Sequence, residues 1–300
     1  MLSVGCAVAL LSHAAMAVEV VAIASKTAKD YVRKKLPDGT YQPETYAFGK
    51  GDNLSGARVD PTIDKMDFMD VARTIAVPLA EKRYIPTQDP KTTNELIMVY
   101  WGTTLAPEFA TESNTHILMQ EANQKELVAA QMKKAASSAT ATHSDKMIAL
   151  SYAASVDDDL LAATIGVQAE NQERENRDMK TATLLGYDSW WVAVNGAMDG
   201  SSMGRRKADM RAELEEDRYF VVLTAFDYQT LVSKKKTKFL WEVRFSIREH
   251  GTAFDDRLAG MVATASDYFG RDSGGLRHVE VPEGKVEIGP VKSLGVVTGK

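Results

Sequence analysis

The feature that most constrains this 300-residue chain is an alternation in its C-terminal third. Phe239, Trp241, Val243, Phe245 and Ile247 alternate with Leu240, Glu242, Arg244, Ser246 and Arg248. Successive side chains on a strand point to opposite faces, so a sustained period of two marks a strand with one face in a core. Just upstream, Tyr219–Phe226 (YFVVLTAF) is a near-continuous apolar run, and Ser233-Lys234-Lys235-Lys236 is a solvated connection. The two runs predict a hairpin. A slip of one residue would turn the whole alternating set out to water, so Trp241 is expected on the buried face and Arg244 on a wet one. A helix follows with Phe254, Leu258, Met261, Val262, Ala265 and Phe269 as its core stripe. Thr252 is its expected N-cap, with Asp255 three residues on and Gly270 at C′.

The rest of the chain fills in around that hairpin. Val18–Ser25 is apolar enough for a first strand, and residues 38–62 read as a long surface connection rich in Gly, Pro, Asp and Asn. A helix carries Phe68, Val71, Ala72, Ile75 and Leu79 at helical spacing, with Asp64 as expected N-cap and Pro78 weakening its last turn. Leu96–Trp101 (LIMVYW) is a strand. From about 115 to 186 Ala, Gln, Glu, Lys and Met dominate. Helices are expected near 115–136, 145–154 and 157–185, broken at Ser137–His143 and ended by Gly186. Asp157-Asp158-Asp159 would open the last of these, where acidic side chains suit the helix dipole. Gln168–Lys180 is polar on every side and should be solvated. Beyond it come a possible strand at Trp190–Val194, a charged helix over Arg205–Arg218, and an edge strand at Lys285–Val297 interrupted by Pro290. The predicted class is α+β: a mainly antiparallel sheet with helices packed on one face and a helical insertion at 115–186, in one mature domain over residues 18–300.

Residues 1–17, MLSVGCAVALLSHAAMA, contain no Lys, Arg, Asp or Glu and end in Ala15-Met16-Ala17. This is an apolar h-region with a small-x-small cleavage site, so a signal peptide is expected, although its basic n-region is missing. The uncharged run stops at Glu19 and includes His13, which disfavours a membrane span. Ser3-Val4-Gly5-Cys6 has the outline of a lipobox without the preferred Leu three residues before the Cys. Cys6 is the only cysteine. A chain cleaved after Ala17 could hold no disulfide, zinc–thiolate site or Cys nucleophile. The 36 Lys and Arg against 41 Asp and Glu leave a net charge of -5, so no basic field invites nucleic acid or an anionic membrane.

Few motifs carry chemistry. Gly200-Ser201-Ser202-Met203-Gly204 fits G-x-S-x-G, with Asp227 and His250 or His278 downstream, as a nucleophile elbow requires. The elbow also needs a tight strand-to-helix turn on a parallel sheet, and Asn195–Asp199 lengthens that turn, so a plain loop is the stronger reading. His13, His116, His143, His250 and His278 form no H-x-x-H or H-E-x-x-H pair, and no metal or cofactor is expected. Gly49, Gly51 and Gly56 do not have dinucleotide-binding spacing. Lys234–Lys236 lacks the aromatic interleaving of a nucleic-acid site. Trp190 and Trp191, adjacent on a strand, would point to opposite faces, one onto the core and one under the helical insertion, or else one exposed for a ligand.

The order of first strand, 66–82 helix, EKRYIPTQDPKTTNELIMVYW, the hairpin with YFVVLTAFDYQTL and TKFLWEVRFSIRE, and a final helix resembles a group of uncharacterised bacterial envelope proteins and lipoproteins carrying a domain of unknown function. The resemblance covers roughly residues 18–104 and 219–270 and brings no catalytic, cofactor or metal residues with it. It implies an exported, periplasmic or otherwise envelope-located protein. The expected function is non-enzymatic, binding an unknown envelope component or serving a structural role. The alternatives are a small-ligand carrier using a groove between sheet and helical insertion, or a serine hydrolase using Ser202.

Overall fold

In the computed structural model, which describes residues 19–54, 60–104, 106, 113–198, 200–249 and 251–281, the hairpin strands lie at the middle of a sheet. The strands are β1 (Val20–Thr27), β2 (Glu44–Asn53), β3 (Tyr84–Pro86), β4 (Glu95–Thr103), β5 (Arg218–Asp227), β6 (Phe239–Arg248) and β7 (Arg277–Glu280). Their order is β3-β2-β4-β5-β6-β1-β7. Pairing is antiparallel from β4 through β7, and parallel where β2 meets β3 and β4. The α+β class with a mainly antiparallel sheet therefore holds, and the sheet has seven strands. β2 falls inside the stretch expected to be loop. Its glycines hid it: a Cβ on Gly51 would sit 2.4 Å from Tyr100 Cδ1 on β4. Glycine there lets the Tyr100 ring lie against the neighbouring strand.

The helices are α1 (Pro61–Asp64), α2 (Phe68–Glu81), α3 (Asn114–Ala136), α4 (His143–Leu185), α5 (Asp188–Asn195), α6 (Ser202–Leu214), α7 (Tyr228–Lys234) and α8 (Phe254–Ala265). They cover both faces of the sheet, not one. On one face, Val71, Ile75 and Leu79 of α2 and Leu258, Met261 and Val262 of α8 pack on Val99, Leu223, Trp241, Val243 and Phe245. On the other, Ala182 and Leu185 of α4, Trp191 and Val194 of α5 and Met210 and Leu214 of α6 cover Ala22, Phe220 and Val222. The face carrying Arg244 is thus not wet. Its guanidinium donates to the Thr183 and Leu184 carbonyls at the end of α4, and Nε lies 2.8 Å from Glu242 Oε1. Trp241 is fully buried as expected, 6.1 Å from the Phe269 ring and 5.7 Å from Tyr84.

Several local expectations are corrected. The helices foreseen at 145–154 and 157–185 are one continuous α4, about 65 Å long at 1.5 Å per residue. Its Thr142–Asp145 capping box holds one end. At the other, Gly186 takes φ 84, with Ala24 Cβ only 2.6 Å from where a Cβ would stand. Trp190–Val194 is helical in α5, not a strand. The hairpin connection contains α7. Asp67, not Asp64, caps α2, and α8 begins after Ala253, whose side chain makes no cap. Thr252 instead accepts from Arg257 Nε at 2.5 Å. The expected edge strand at Lys285–Val297, like the signal peptide at 1–17, lies outside the described residues. Among the described residues no helix is long and apolar enough to cross a membrane.

Candidate functional site

The helical insertion has its large and small residues in an unusual arrangement. α3 runs antiparallel to the first half of α4: Thr115 touches the position of Gly166, and Lys125 Nζ lies 2.7 Å from Asp159 Oδ2. The residues buried between the two helices are small: Ala122 and Ala129 on α3, and Ala149, Ala153, Val156 and Ala163 on α4. Their spacing of three, four and seven is a coiled-coil seam drawn tight by alanine. This seam makes its own small cluster of Ala129, Ala153 and Val156 with Tyr152, separate from those on the sheet. Tyr152 and Leu160 are half-buried, Tyr152 against the seam, but other large apolar side chains of α4 point outward. Met147 is 53% exposed, Leu150 59%, Leu161 60% and Ile165 58%. With exposed Ala154 they repeat at steps of three, four, seven and four, a second heptad stripe on α4 facing away from α3. Scattered exposed leucines are ordinary on a protein surface, whereas these lie along one side of one helix.

In the gap of that stripe, between Ala154 and Leu161, stand Asp157 and Asp158. They were expected to open a helix; they sit in the interior of α4, where dipole complementation does not reach. Aspartate is among the weaker helix formers, so three in a row at mid-helix work against it. Asp159 is compensated by Lys125. Asp157 and Asp158 are exposed, and their carboxylates make no hydrogen bond or ion pair with any described residue.

A second surface lies where α6 faces the sheet edge. His278 Nε2, on β7, is 3.0 Å from Glu213 Oε2 on α6. Tyr187 donates to Glu213 Oε1 at 2.7 Å, and Arg218 is 3.3 Å from it. Burial pushes the Glu213 pKa up, but the His278 hydrogen bond, the Arg218 charge and the Tyr187 hydrogen bond outweigh it and leave it lowered. The Glu213 hydrogen bond raises the His278 pKa against the opposing effect of burial. Glu213, His278 and Asp209 line two cavities of about 470 and 300 Å³, the smaller also lined by Trp190, Arg206, Met210 and Leu276. Trp191 is buried while Trp190 is 42% exposed, since neighbours on a helix are a quarter-turn apart rather than on opposite faces.

One ionisable cluster is closed instead. Glu95, at the start of β4, accepts from Trp241 Nε1 at 3.0 Å and from Tyr31 Oη at 3.1 Å. Tyr31 Oη also lies 2.8 Å from Glu44 Oε2, so its one proton is shared between the two carboxyls, and the Arg33 guanidinium sits 4.1 Å over the Tyr84 ring. Burial first, and then the neighbouring Glu44 charge, raise the Glu95 pKa well above the usual carboxyl range. Glu95 is 2% exposed and lines neither cavity, so its chemistry serves the fold.

Among the described residues, Ser202, Asp227 and His278 are not hydrogen-bonded to one another as a triad would be. Ser201 caps α6 through Gly204 N, and Ser202 is the exposed first residue of that helix, preceded by a helix rather than a strand. Asp227 caps α7 through Thr230 N, and His278 is held by Glu213. His250 and Gly56 lie outside the described residues. His116 pairs with Gln120, and His143 is exposed at the start of α4. No group of His, Cys, Asp and Glu among the described residues could hold a metal. Lys235 ends α7 in the left-handed conformation. The outward stripe of α4 was missed because the sequence was divided at the Asp run, which split one heptad register in two. Glu213 gave no signal, since its partners come from the turn between α4 and α5, from β5 and from β7. No family model matches the chain, and a search of curated proteins finds no relative.

Proposed function

We propose that this is an exported component of a bacterial envelope that acts by binding another envelope component through the α3–α4 arm, without catalysis. The observation that carries the reading is the inversion in the arm, with alanines inside and Met147, Leu150, Leu161 and Ile165 outside. A helix pair needing only itself would bury its large residues and expose its small ones. The uncharged, Ala-x-Ala-ended segment at 1–17 supports export, and the resemblance to envelope proteins supports the location. A photo-crosslinking residue at Leu161, introduced in the native host, tests the reading. An adduct to an envelope component, lost when Leu150 is changed to Glu, is expected; no adduct at Leu161 or Met147 refutes it.

A second reading, a small-ligand carrier, rests on the groove beside His278 and the exposed Trp190 on its wall. Native mass spectrometry of protein purified from the host should show an added mass that Trp190→Ala removes. A bare protein mass before any substitution rejects the carrier reading.

A further inference from the structure

From the charge pattern of the arm, and resting on the partner-binding reading above, we infer that the α4 stripe receives an amphipathic helix with lysine or arginine at the centre of its apolar face. The stripe offers two apolar ends, Met147-Leu150 and Leu161-Ile165, separated by the unpaired carboxylates of Asp157 and Asp158. Covering the apolar ends desolvates the middle as well, and a carboxylate losing water without a partner is strongly unfavourable. A cation from the occupant answers that demand. Central charge then selects partners, as polar residues inside coiled-coil seams do.

A second copy of this chain fits poorly. Side by side and parallel, Asp157 and Asp158 would face their own equivalents. Antiparallel, with the stripe centred near Val156, each Asp lies opposite a position within about one 5.4 Å turn of its equivalent. Both arrangements press like charges together in a drying interface. A lipid surface fits poorly for a related reason, because the carboxylates would enter the apolar boundary with the leucines.

The test uses the full chain and synthetic helical peptides of about three heptads with leucine at the seam positions. One carries Lys at the two central seam positions, its twin Glu. Fluorescence anisotropy is expected to show the Lys peptide binding at least about tenfold more tightly, the scale of coupling that close charge pairs give. The preference should reverse on Asp157→Lys/Asp158→Lys, and Leu150→Glu/Leu161→Glu should abolish binding of both peptides. All four positions are exposed, and far-UV circular dichroism verifies that each variant stays helical. Equal affinity for the two peptides, or failure of the charge swap to reverse their order, overturns the inference. So does sedimentation velocity showing a dimer that Leu161→Glu dissociates, or flotation with phosphatidylcholine vesicles that Leu161→Glu abolishes. A Leu161 crosslink in the host together with any of these results leaves the partner-binding function standing and removes only the basic helix.

Discussion

Replacing Trp241 by Ala should be the most damaging single truncation on the α8 face of the sheet. A buried aromatic side chain removes roughly 150–250 Å² from water. At about 25 cal/mol per Å² that is about 4–6 kcal/mol, of which the alanine methyl keeps a small part. Because Tyr84 and Phe269 flank the ring and are anchored on β3 and beyond α8, the site cannot collapse well, and a cavity remains. The indole N–H also leaves Glu95 with one fewer partner in a dry site. The expected loss is about 4–5 kcal/mol, the upper part of the usual range for such truncations. Trp241→Phe, which keeps most of the packing and drops the donor, should cost about 1–3 kcal/mol. Arg244→Ala is expected to cost about 1–3 kcal/mol, because it strips donors from the last turn of α4 and one cation from Glu242. Lys26→Ala, which removes the other, largely exposed partner of Glu242, should cost under about 1 kcal/mol. Urea denaturation followed by circular dichroism gives all four from midpoints at constant slope. If Trp241→Ala and Lys26→Ala shared a midpoint, the assignment of the buried face would be wrong.

Three further outcomes are expected. In an NMR titration His278 should lose its proton above the ordinary value of 6.5, and Glu213→Gln should bring it back down; the His278 contribution to stability is full below the unfolded pKa and fades as pH rises through the folded one. Glu95 binds its proton more tightly folded than unfolded, so the wild type should lose stability as pH rises above about 4.5, and Glu95→Gln should flatten that decline in urea midpoints taken from pH 5 to 8. Protein recovered from the host should begin at Val18 on N-terminal sequencing, and retention of residues 1–17 on the soluble product would remove the export claim.

Much of the sheet was legible because strong periodicity needs little context. Trp241–Ile247 could face only one way, and Val71, Ile75 and Leu79 formed one stripe on α2, whereas at the irregularity beside Phe226 Leu240 joins the core and Phe239 does not. What failed was what depends on neighbours. β2 is held by parallel pairing with β4 and has glycines where a side chain would collide, so its own composition resembles a loop. Trp190–Val194 was ambiguous by length, and the packing of α5 against α4 and α6 decides it as helix. Arg244 looked solvent-facing because nothing in the strand announces that a helix end 60 residues away comes to rest on it. The arm was half legible: its helices were read, but its outward stripe is recognisable only once the alanines are known to face each other.

The first strand of this sheet has a consequence for how the chain comes to be folded at all. β1 is hydrogen-bonded along one edge by β6 and along the other by β7, with Val21 opposite Ile247 and Val20 opposite Glu280. A nascent chain makes β1 early and must then wait, with Val21 and Ile23 unpaired, until nearly all the later strands exist. Such remote pairing raises the contact order and slows closure of the sheet. During that interval the strand edge stays open, and an unpaired edge of this kind is what makes a folding intermediate prone to aggregate. Circular permutation that joins β1 directly after β7 would shorten the wait and speed folding.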